Sequence, residues 1–227
     1  MENRKLAILL SGRGSNFVAI HEAIRRGDLR AEICCVLSNI AEAPGLARAR
    51  EFGYLSLCLP SKEVERVEFD RRMLEALRPL DPALICLAGF MRVLSPEFVA
   101  AYRGRILNIH PALLPSFPGL HAQRQALEYG VRITGCTVHL VDEGVDTGPI
   151  LLQRAVEVLQ GDSEETLSAR ILKQEHDLYW RAIGLMLERQ GKSDLRPQTQ
   201  DLRHWDFPEN ASSSAEITHS QGLKSEV

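Results

Sequence analysis

The sequence predicts an α/β fold, a Rossmann-like and mostly parallel twisted sheet with helices on both faces. Short apolar runs alternate with helix-periodic segments through the first 110 residues, as in a parallel sheet with helical crossovers. A long helical pattern over residues 164–189 closes the predicted domain. Beyond Gly191 the apolar period disappears, so the fold is expected to end there.

Five strands and four helices are predicted to alternate in the first half of the chain. Pro44 and Pro96 fall in the first turn of two of these helices, where the fixed φ angle of proline fits. Right-handed crossovers would then place the strands in one sheet. The predicted strands cover residues 6–10, 33–37, 54–59, 84–88 and 105–109, and the predicted helices cover residues 16–26, 44–52, 63–77 and 96–102.

The pattern changes after the fifth strand. Residues 111–119 hold three prolines, which favours a rigid, non-helical loop. Ser163 is the predicted N-cap of the long helix, and the two glutamates that follow it suit the positive end of the helix dipole. Before that helix, we expect a short helix over residues 122–129, strands over 134–141 and 150–158, and a joining loop over 142–149.

Charge and composition argue against several function classes. The formal net charge is −3, and residues 193–227 carry three basic and six acidic side chains, so residues 1–192 are neutral. Without a large positive field, non-specific binding to nucleic acid or membranes is not expected. No apolar run reaches the roughly 18 residues of a membrane span. We therefore expect a cytoplasmic protein with one domain, residues 1–192, and a flexible acidic tail, residues 193–227.

The five cysteines are odd in number and show no paired spacing. Most lie within apolar runs, so we predict reduced core residues. A structural zinc site would need paired ligands, and a catalytic thiol would need a polar setting. Neither pattern is present, and no metal site is expected.

A glycine-containing motif, Ser11-Gly12-Arg13-Gly14-Ser15-Asn16, joins the first strand to the first helix. Glycines let the backbone turn sharply and approach a ligand, and free N–H groups at a helix start attract an anion. The motif lacks the third glycine of the dinucleotide fingerprint and the lysine of a P-loop. It fits a phosphate site or a plain strand-to-helix turn equally well.

Polar side chains that suit acyl transfer lie at the end of the fifth strand. Asn108 and His110 alternate onto one face, and an amide beside an imidazole can stabilise the oxyanion of an attacked carbonyl. Asp142, Glu143 and Asp146 lie in the loop before the last strand. A carboxylate near His110 would orient the ring and raise its pKa. The residues alone do not decide which of the three acids does so.

Four motifs together resemble the phosphoribosylglycinamide formyltransferase family, from Leu6 to about Leu187. Their shared order and spacing are more specific than any single motif. The resemblance implies the formyltransferase fold and transfer of a formyl group from 10-formyltetrahydrofolate to the amine of glycinamide ribonucleotide, in the third step of de novo purine synthesis, without a metal. The motifs are Ser11–Asn16, Gly89–Leu94, Asn108–Pro115, and Gly135–His139 leading to Asp146–Ile150.

The resemblance also implies residue roles at a catalytic and a folate site. Asn108, His110 and Asp146 match the catalytic trio. The Asp146 charge is then expected to hold the pKa of His110 above its ordinary value of about 6.5. The positions that line the folate pocket are matched by Arg66, Met91, Arg92, Val93 and Leu94, together with Asn108.

The resemblance assigns the glycine-containing motif to the second substrate. Gly14, Ser15 and Asn16 match positions that hold the ribose phosphate, and Glu175 matches a position that contacts the glycinamide substrate. Arg13 stands where relatives also have Asn or Ser, and would add a cation beside the phosphate. The implied partners are small molecules, and the chain is expected to be a monomer or a homodimer.

Three alternatives remain open at this point. A formyltetrahydrofolate hydrolase usually carries an additional N-terminal regulatory domain, for which Met1–Lys5 leaves no room. A methionyl-tRNA formyltransferase needs a C-terminal RNA-binding domain, and a flexible acidic tail is a poor substitute for such a domain. The third is a non-catalytic nucleotide-binding module, which would bind ligands without turnover.

Overall fold

The computed structural model describes residues 2–192, and for residues 191 and 192 the backbone alone. The predicted tail, residues 193–227, lies outside the described residues. The described part of the chain forms one seven-stranded sheet. Its strands are β1 (Lys5–Leu10), β2 (Glu32–Ser38), β3 (Ser56–Cys58), β4 (Leu84–Leu87), β5 (Ile106–His110), β6 (Ile133–Leu140) and β7 (Ile150–Glu157).

The sheet has the strand order β3-β2-β1-β4-β5-β6-β7. Strands β1 to β5 pair in parallel, whereas β6 is antiparallel to both β5 and β7. This confirms the predicted mostly parallel sheet. The order reverses between β1 and β4, and ligands of such sheets bind outside the carboxyl ends of the strands at this switch point. Ser11, Ala88 and His110 stand at those ends.

Helices cover both faces of the sheet, as predicted. Alternate residues of β1 belong to two separate cores. Leu6 packs with the helices at residues 15–26 and 164–192, and Leu9 packs with the helices at residues 66–77 and 96–101. The period-two alternation of a strand explains this division. The helices are α1 (Ser15–Arg26), α2 (Pro44–Glu51), α3 (Arg66–Leu77), α4 (Pro96–Ala101), α5 (Ala122–Tyr129) and α6 (Glu164–Lys192).

Most elements lie within one residue of their predicted bounds, whereas β3 and α3 differ more and α6 extends past residue 189. Strand β3 has only three residues, because only Ser56–Cys58 pair with β2. Helix α3 begins at Arg66, three residues later than predicted, because Glu63 has a positive φ of 61° and the Glu65 carboxylate caps the helix by accepting from two backbone N–H groups. A short 3-10 helix at Arg78–Leu80 follows α3, and the sequence pattern did not indicate it.

Helix α6 is fixed at its start and along its length. The Ser163 hydroxyl accepts from the Thr166 N–H at 3.2 Å, so Ser163 is the N-cap, as predicted. Farther along, the buried Tyr179 hydroxyl lies 2.9 Å from the Leu87 carbonyl oxygen and 3.0 Å from that of Leu107. These contacts tie α6 to β4 and β5. One helical turn earlier lies Glu175.

All five cysteines fall within the described residues and are free thiols, three of them buried. This fits the prediction of core residues. Within residues 2–192, no helix is long and apolar enough to cross a membrane.

Candidate active site

The structure brings the three predicted catalytic side chains together at the end of β5. The Asp146 Oδ2 atom lies 3.2 Å from His110 Nδ1, and its Oδ1 atom accepts from the Asn108 amide at 3.4 Å. The His110 and Asp146 side chains are 5% and 11% exposed. An imidazole and a carboxamide therefore converge in a nearly dry setting, where electrostatic interactions are strong.

Of the three loop acids, Asp146 reaches His110 because the backbone bends back at this residue. Its φ is +55°, and its Oδ2 atom also accepts from the Gly119 N–H at 2.8 Å. The Asp142 carboxylate is engaged within its own loop, where it accepts from the Thr147 hydroxyl at 2.7 Å. Glu143 is exposed. The choice that the sequence left open is thus resolved by loop geometry.

Both ring nitrogens of His110 face hydrogen-bond acceptors. Nδ1 faces Asp146, and Nε2 lies 2.8 Å from the Phe117 carbonyl oxygen. Burial nevertheless lowers the pKa of His110 below its ordinary value, and the Asp146 charge and the Phe117 carbonyl only partly oppose this effect. The expected rise in this pKa is therefore wrong: the desolvation of a buried ring outweighs the nearby carboxylate.

For the pKa of the Asp146 carboxyl, hydrogen bonds and nearby charges outweigh burial, the opposite of the outcome at His110. Burial alone would raise its pKa, but the hydrogen bond from His139, the Gly119 N–H and the charges of His110 and His139 outweigh burial, and the pKa lies below its ordinary value. Asp146 therefore carries its negative charge at neutral pH. That charge favours the imidazolium form of His110.

A second histidine, His139, belongs to this cluster, and the sequence analysis gave it no role. It pairs with Asn108 across β5 and β6, and its Nε2 atom lies 3.2 Å from the Asn108 amide nitrogen and 3.4 Å from Asp146 Oδ1. Its Nδ1 atom lies 2.9 Å from the Leu140 carbonyl oxygen. The sequence feature that could have identified His139 as a site residue is its position near the end of β6, the strand beside β5.

The proline-containing loop after β5 is fastened to the sheet by Thr137. The Thr137 hydroxyl donates to the Ala112 carbonyl at 2.7 Å and accepts from the Leu114 N–H at 3.0 Å. Farther along the loop, Phe117 has a positive φ of 56°. The loop thereby directs the Phe117 carbonyl and the Gly119 N–H at His110 and Asp146.

The predicted phosphate cradle lies at the start of α1. Gly14 takes the left-handed conformation, with φ 71° and ψ 31°, and no side chain among the described residues caps the helix. The first N–H groups of α1 are thus free of side-chain partners, which suits an anion. A Cβ atom at Gly14 would lie 2.9 Å from the Gly45 Cα atom. The glycine therefore serves close packing as well.

Asn16 and Glu175 meet where α1 approaches α6. The Asn16 amide donates to the Glu175 carboxylate at 2.8 Å, and each residue is 7% exposed. Burial raises the pKa of Glu175, and the hydrogen bond from Asn16 partly opposes this rise. The Asn16 Oδ1 atom is buried without a partner among the described residues. The pair thus leaves one hydrogen-bond acceptor, Asn16 Oδ1, unpaired beside the predicted phosphate cradle.

The segment predicted to line the folate pocket follows β4. Met91 and Val93 are 67% and 51% exposed, whereas Leu94 is buried. Two exposed apolar side chains beside the switch point fit a surface that contacts an apolar ring system.

Arg92 and Arg66, also predicted for the folate pocket, differ in their surroundings. The Arg92 guanidinium donates to the Ser61 carbonyl at 3.0 Å and to the Val64 carbonyl at 3.3 Å, and it stacks over the Phe69 ring. Its side chain thus braces the loop before α3. Arg66 begins α3 and is exposed, and within residues 2–192 no hydrogen bond or ring contact joins it to Met91 or Val93.

No group of three His, Cys, Asp or Glu residues within residues 2–192 is placed to hold a metal ion.

Comparisons with known proteins agree with this architecture. Residues 4–183 match the family described as formyl transferase. The chain is 45% identical over 175 residues to the phosphoribosylglycinamide formyltransferase of Escherichia coli, covering 77% of this chain and 82% of that protein. It is 50% identical over 190 residues to the trifunctional purine biosynthetic protein adenosine-3 of Drosophila pseudoobscura, covering 81% of this chain.

The chain spans only 14% of the length of that Drosophila protein. Among solved structures, glycinamide ribonucleotide transformylase 1 from Symbiobacterium toebii is similar, with a TM-score of 0.80 and 47% identity. The similarity covers 82% of this chain and 89% of that chain.

Proposed function

The chain belongs to the formyl transferase family, and we propose that it transfers the formyl group of 10-formyltetrahydrofolate to the amine of glycinamide ribonucleotide. The products are formylglycinamide ribonucleotide and tetrahydrofolate. The similarity to the phosphoribosylglycinamide formyltransferase of Escherichia coli and to glycinamide ribonucleotide transformylase 1 supports the reaction and its second substrate. The observation that carries the proposal is the contact of Asp146 with both His110 and Asn108 at the end of β5.

The reaction needs no covalent enzyme intermediate, because a deprotonated amine is itself a nucleophile. The amine attacks the formyl carbon, a C–N bond forms, and the carbonyl electron pair moves to oxygen. The Asn108 amide and the His110 imidazole are the donors for this oxyanion, and its collapse breaks the bond to the folate nitrogen. A proton passes from the attacking nitrogen to the departing one. Asp146 supports His110 by favouring its imidazolium form.

Catalysis by proximity requires both substrates to lie at the carboxyl edge of the sheet. In our proposal, Gly14, Ser15 and Asn16 hold the ribose phosphate and Glu175 contacts the glycinamide. The folate lies on the segment after β4, against Arg66, Met91, Arg92, Val93 and Leu94, and its formyl group approaches Asn108. Holding two reactants in this way removes the entropy cost of a bimolecular encounter.

The contact between His110 and Phe117 adds a requirement. Nε2 of His110 faces the Phe117 carbonyl while Nδ1 faces Asp146. An oxyanion that bonds to Nε2 must therefore displace the carbonyl. The proline-containing loop would shift locally when the substrates bind.

The deciding experiment follows the loss of formyl-folate by absorbance, with and without glycinamide ribonucleotide. Consumption that depends on glycinamide ribonucleotide supports the proposal. Equal consumption without it indicates a hydrolase. Binding of both ligands without turnover indicates a non-catalytic module.

The remaining assignments extend this proposal. We propose that the ligands are small molecules rather than nucleic acid or membranes, with no metal required, and that the chain acts as a monomer or homodimer. Free cysteines suit a reducing cytoplasm. We also propose that residues 1–192 form the formyltransferase domain and that residues 197–227 are dispensable. A chain ending at Arg196 that folds but loses formyl transfer would contradict this boundary.

A further inference from the structure

A closed ring of hydrogen bonds joins the loops that follow β1, β2, β3 and β4. The Ser11 hydroxyl donates to Asn39 Oδ1 at 2.6 Å, and the Asn39 amide donates to the Ser61 hydroxyl at 2.9 Å. The Ser61 carbonyl accepts from Arg92 at 3.0 Å. The ring closes at the neighbour of Arg92, because the Met91 N–H donates to the Ser11 hydroxyl at 2.8 Å.

Backbone contacts reinforce the ring at two places. The Ser11 N–H donates to the Gly89 carbonyl at 2.9 Å, and the Ser61 N–H donates to the Asn39 carbonyl at 3.2 Å. Asn39 and Ser61 are 5% and 6% exposed. The Asn39–Ser61 side of the ring is therefore buried, where a hydrogen bond is strong and the loss of one member leaves the other unpaired. The Ser11–Met91 bond lies at the exposed side.

The ring spans the two proposed substrate positions. Ser11 follows β1 and begins the motif that leads to the proposed phosphate site at Gly14, three residues later, whereas Met91 and Arg92 belong to the proposed folate segment. We propose that Ser11, Asn39 and Ser61 are positioning residues that couple the binding of the two substrates. Glycinamide ribonucleotide bound at the cradle holds Ser11 in place, and the ring passes that restraint to Met91. This inference rests on the proposed function, because it needs both ligands.

The coupling is expected to act by ordering the folate segment. The Met91 and Val93 side chains are largely exposed, so the Ser11 hydroxyl is a main constraint on the backbone at Met91. When one ligand has already ordered a segment, a second ligand loses less conformational entropy on binding. Coupling is reciprocal, so folate must strengthen the binding of glycinamide ribonucleotide by the same factor.

The test uses tetrahydrofolate with glycinamide ribonucleotide, a pair that cannot react because no formyl group is present. Calorimetry measures the Kd of tetrahydrofolate alone and with saturating glycinamide ribonucleotide. In the unaltered chain the ratio of these constants is expected to be about fivefold or more. In Ser11→Ala the ratio falls towards one, because the Met91 N–H and Asn39 Oδ1 both lose their partner.

Two further variants separate coupling from folding. Ser61→Ala removes only the hydroxyl that accepts from the Asn39 amide, and it keeps both the Ser61 carbonyl contact with Arg92 and the Ser11–Met91 bond. Asn39 then holds Ser11 less firmly, so the ratio should fall partway towards one even if Ser11→Ala folds poorly. Ser56→Ala is the matched control, because its hydroxyl donates only locally, to the Tyr54 carbonyl. That control should keep the ratio of the unaltered chain.

Amide hydrogen exchange at Met91 supplies an independent readout. Glycinamide ribonucleotide should slow this exchange in the unaltered chain and in Ser56→Ala, but not in Ser11→Ala. The proposal is overturned if the unaltered chain binds both ligands with a ratio of one. A ratio that persists in Ser11→Ala and Ser61→Ala also overturns it. If the unaltered chain binds neither ligand, the proposed function fails and this proposal falls with it.

Discussion

The Asp146 carboxylate holds its negative charge 3.2 Å from the Nδ1 atom of His110. The same carboxylate accepts from the Gly119 N–H at 2.8 Å and lies 3.4 Å from His139. These contacts keep the pKa of Asp146 low despite burial. The charge beside His110 is thus a fixed feature of the loop, and it opposes the lowering of the His110 pKa by burial.

Asp146→Asn removes this charge while preserving the shape of the side chain. We expect the pKa of His110 to fall further, because the lowering by burial is then less opposed. Less imidazolium remains at neutral pH, so formyl transfer should drop about tenfold or more. As the pH is lowered, activity should partly recover until protonation of the attacking amine opposes the gain. NMR titration of His110 and rates across the same pH range measure both effects.

The control for this experiment is Glu143→Gln, which removes an exposed charge from the same loop. Glu143 pairs only loosely with Arg103, at 3.8 Å, so the pKa of His110 and the rate should hardly change. If Asp146→Asn abolishes activity while the His110 pKa stays constant, Asp146 acts through geometry or proton transfer. The electrostatic argument would then be wrong.

Asn108→Ala tests the second proposed oxyanion donor. Loss of one such donor typically lowers turnover by about a hundredfold to a thousandfold, so kcat should fall with only a modest change in KM. Asn3→Ala is a suitable control, because Asn3 is exposed and bonds to Asp81 instead. Steady-state kinetics decide the matter, and an effect confined to KM would make Asn108 a binding residue.

The sequence predicted the order of the elements well because buried parallel strands are continuous apolar runs, as in Leu6–Leu10. It predicted bounds less well where a single backbone conformation decides, as at Glu63, whose positive φ delays the start of α3. Side-chain identity does not reveal such angles in advance. The short strand β3 is another case, because pairing with β2 and not composition limits its length.

The candidate site, like the fold, could be predicted from the sequence only in part. Asn108 and His110 could be placed together from strand alternation, because both belong to one strand. The reach of Asp146 and the position of His139 depend on how distant segments fold back, and the resemblance, not the spacing, singled out Asp146. The pKa of His110 was predicted in the wrong direction because burial cannot be read from neighbouring residue types.

Ser15→Asp is expected to affect folding and binding in opposite directions. Ser15 is the first residue of α1, where a negative charge interacts favourably with the helix dipole by about 0.3–1 kcal/mol. The same charge repels a phosphate at the cradle, so the Kd of glycinamide ribonucleotide should rise at least about tenfold. Thermal unfolding without ligand and calorimetry with it provide the two measurements.

Ser163→Asp is the matched control, because it places the same charge at the start of α6 and should leave the Kd unchanged. If Ser15→Asp binds glycinamide ribonucleotide as tightly as the unaltered chain, the phosphate does not lie at α1. Substitution of Gly14 is a poorer test, since its Cβ would clash with Gly45 in the absence of any ligand.

Asn16→Ala leaves the buried Glu175 carboxyl without the amide that donates to it. Glu175 has a pKa raised by burial, and a group with a raised folded-state pKa loses stability as the pH rises through that value. Asn16→Ala should therefore lower the unfolding free energy by about 1–3 kcal/mol at neutral pH, and by less at about pH 4, which is below the raised pKa of Glu175, so that the protonated form predominates. Urea unfolding at both pH values measures the difference.

Glu175→Gln in the Asn16→Ala background removes the charge and should restore part of the stability at neutral pH. If it restores none, the loss comes from packing at Asn16 rather than from the unpaired carboxylate.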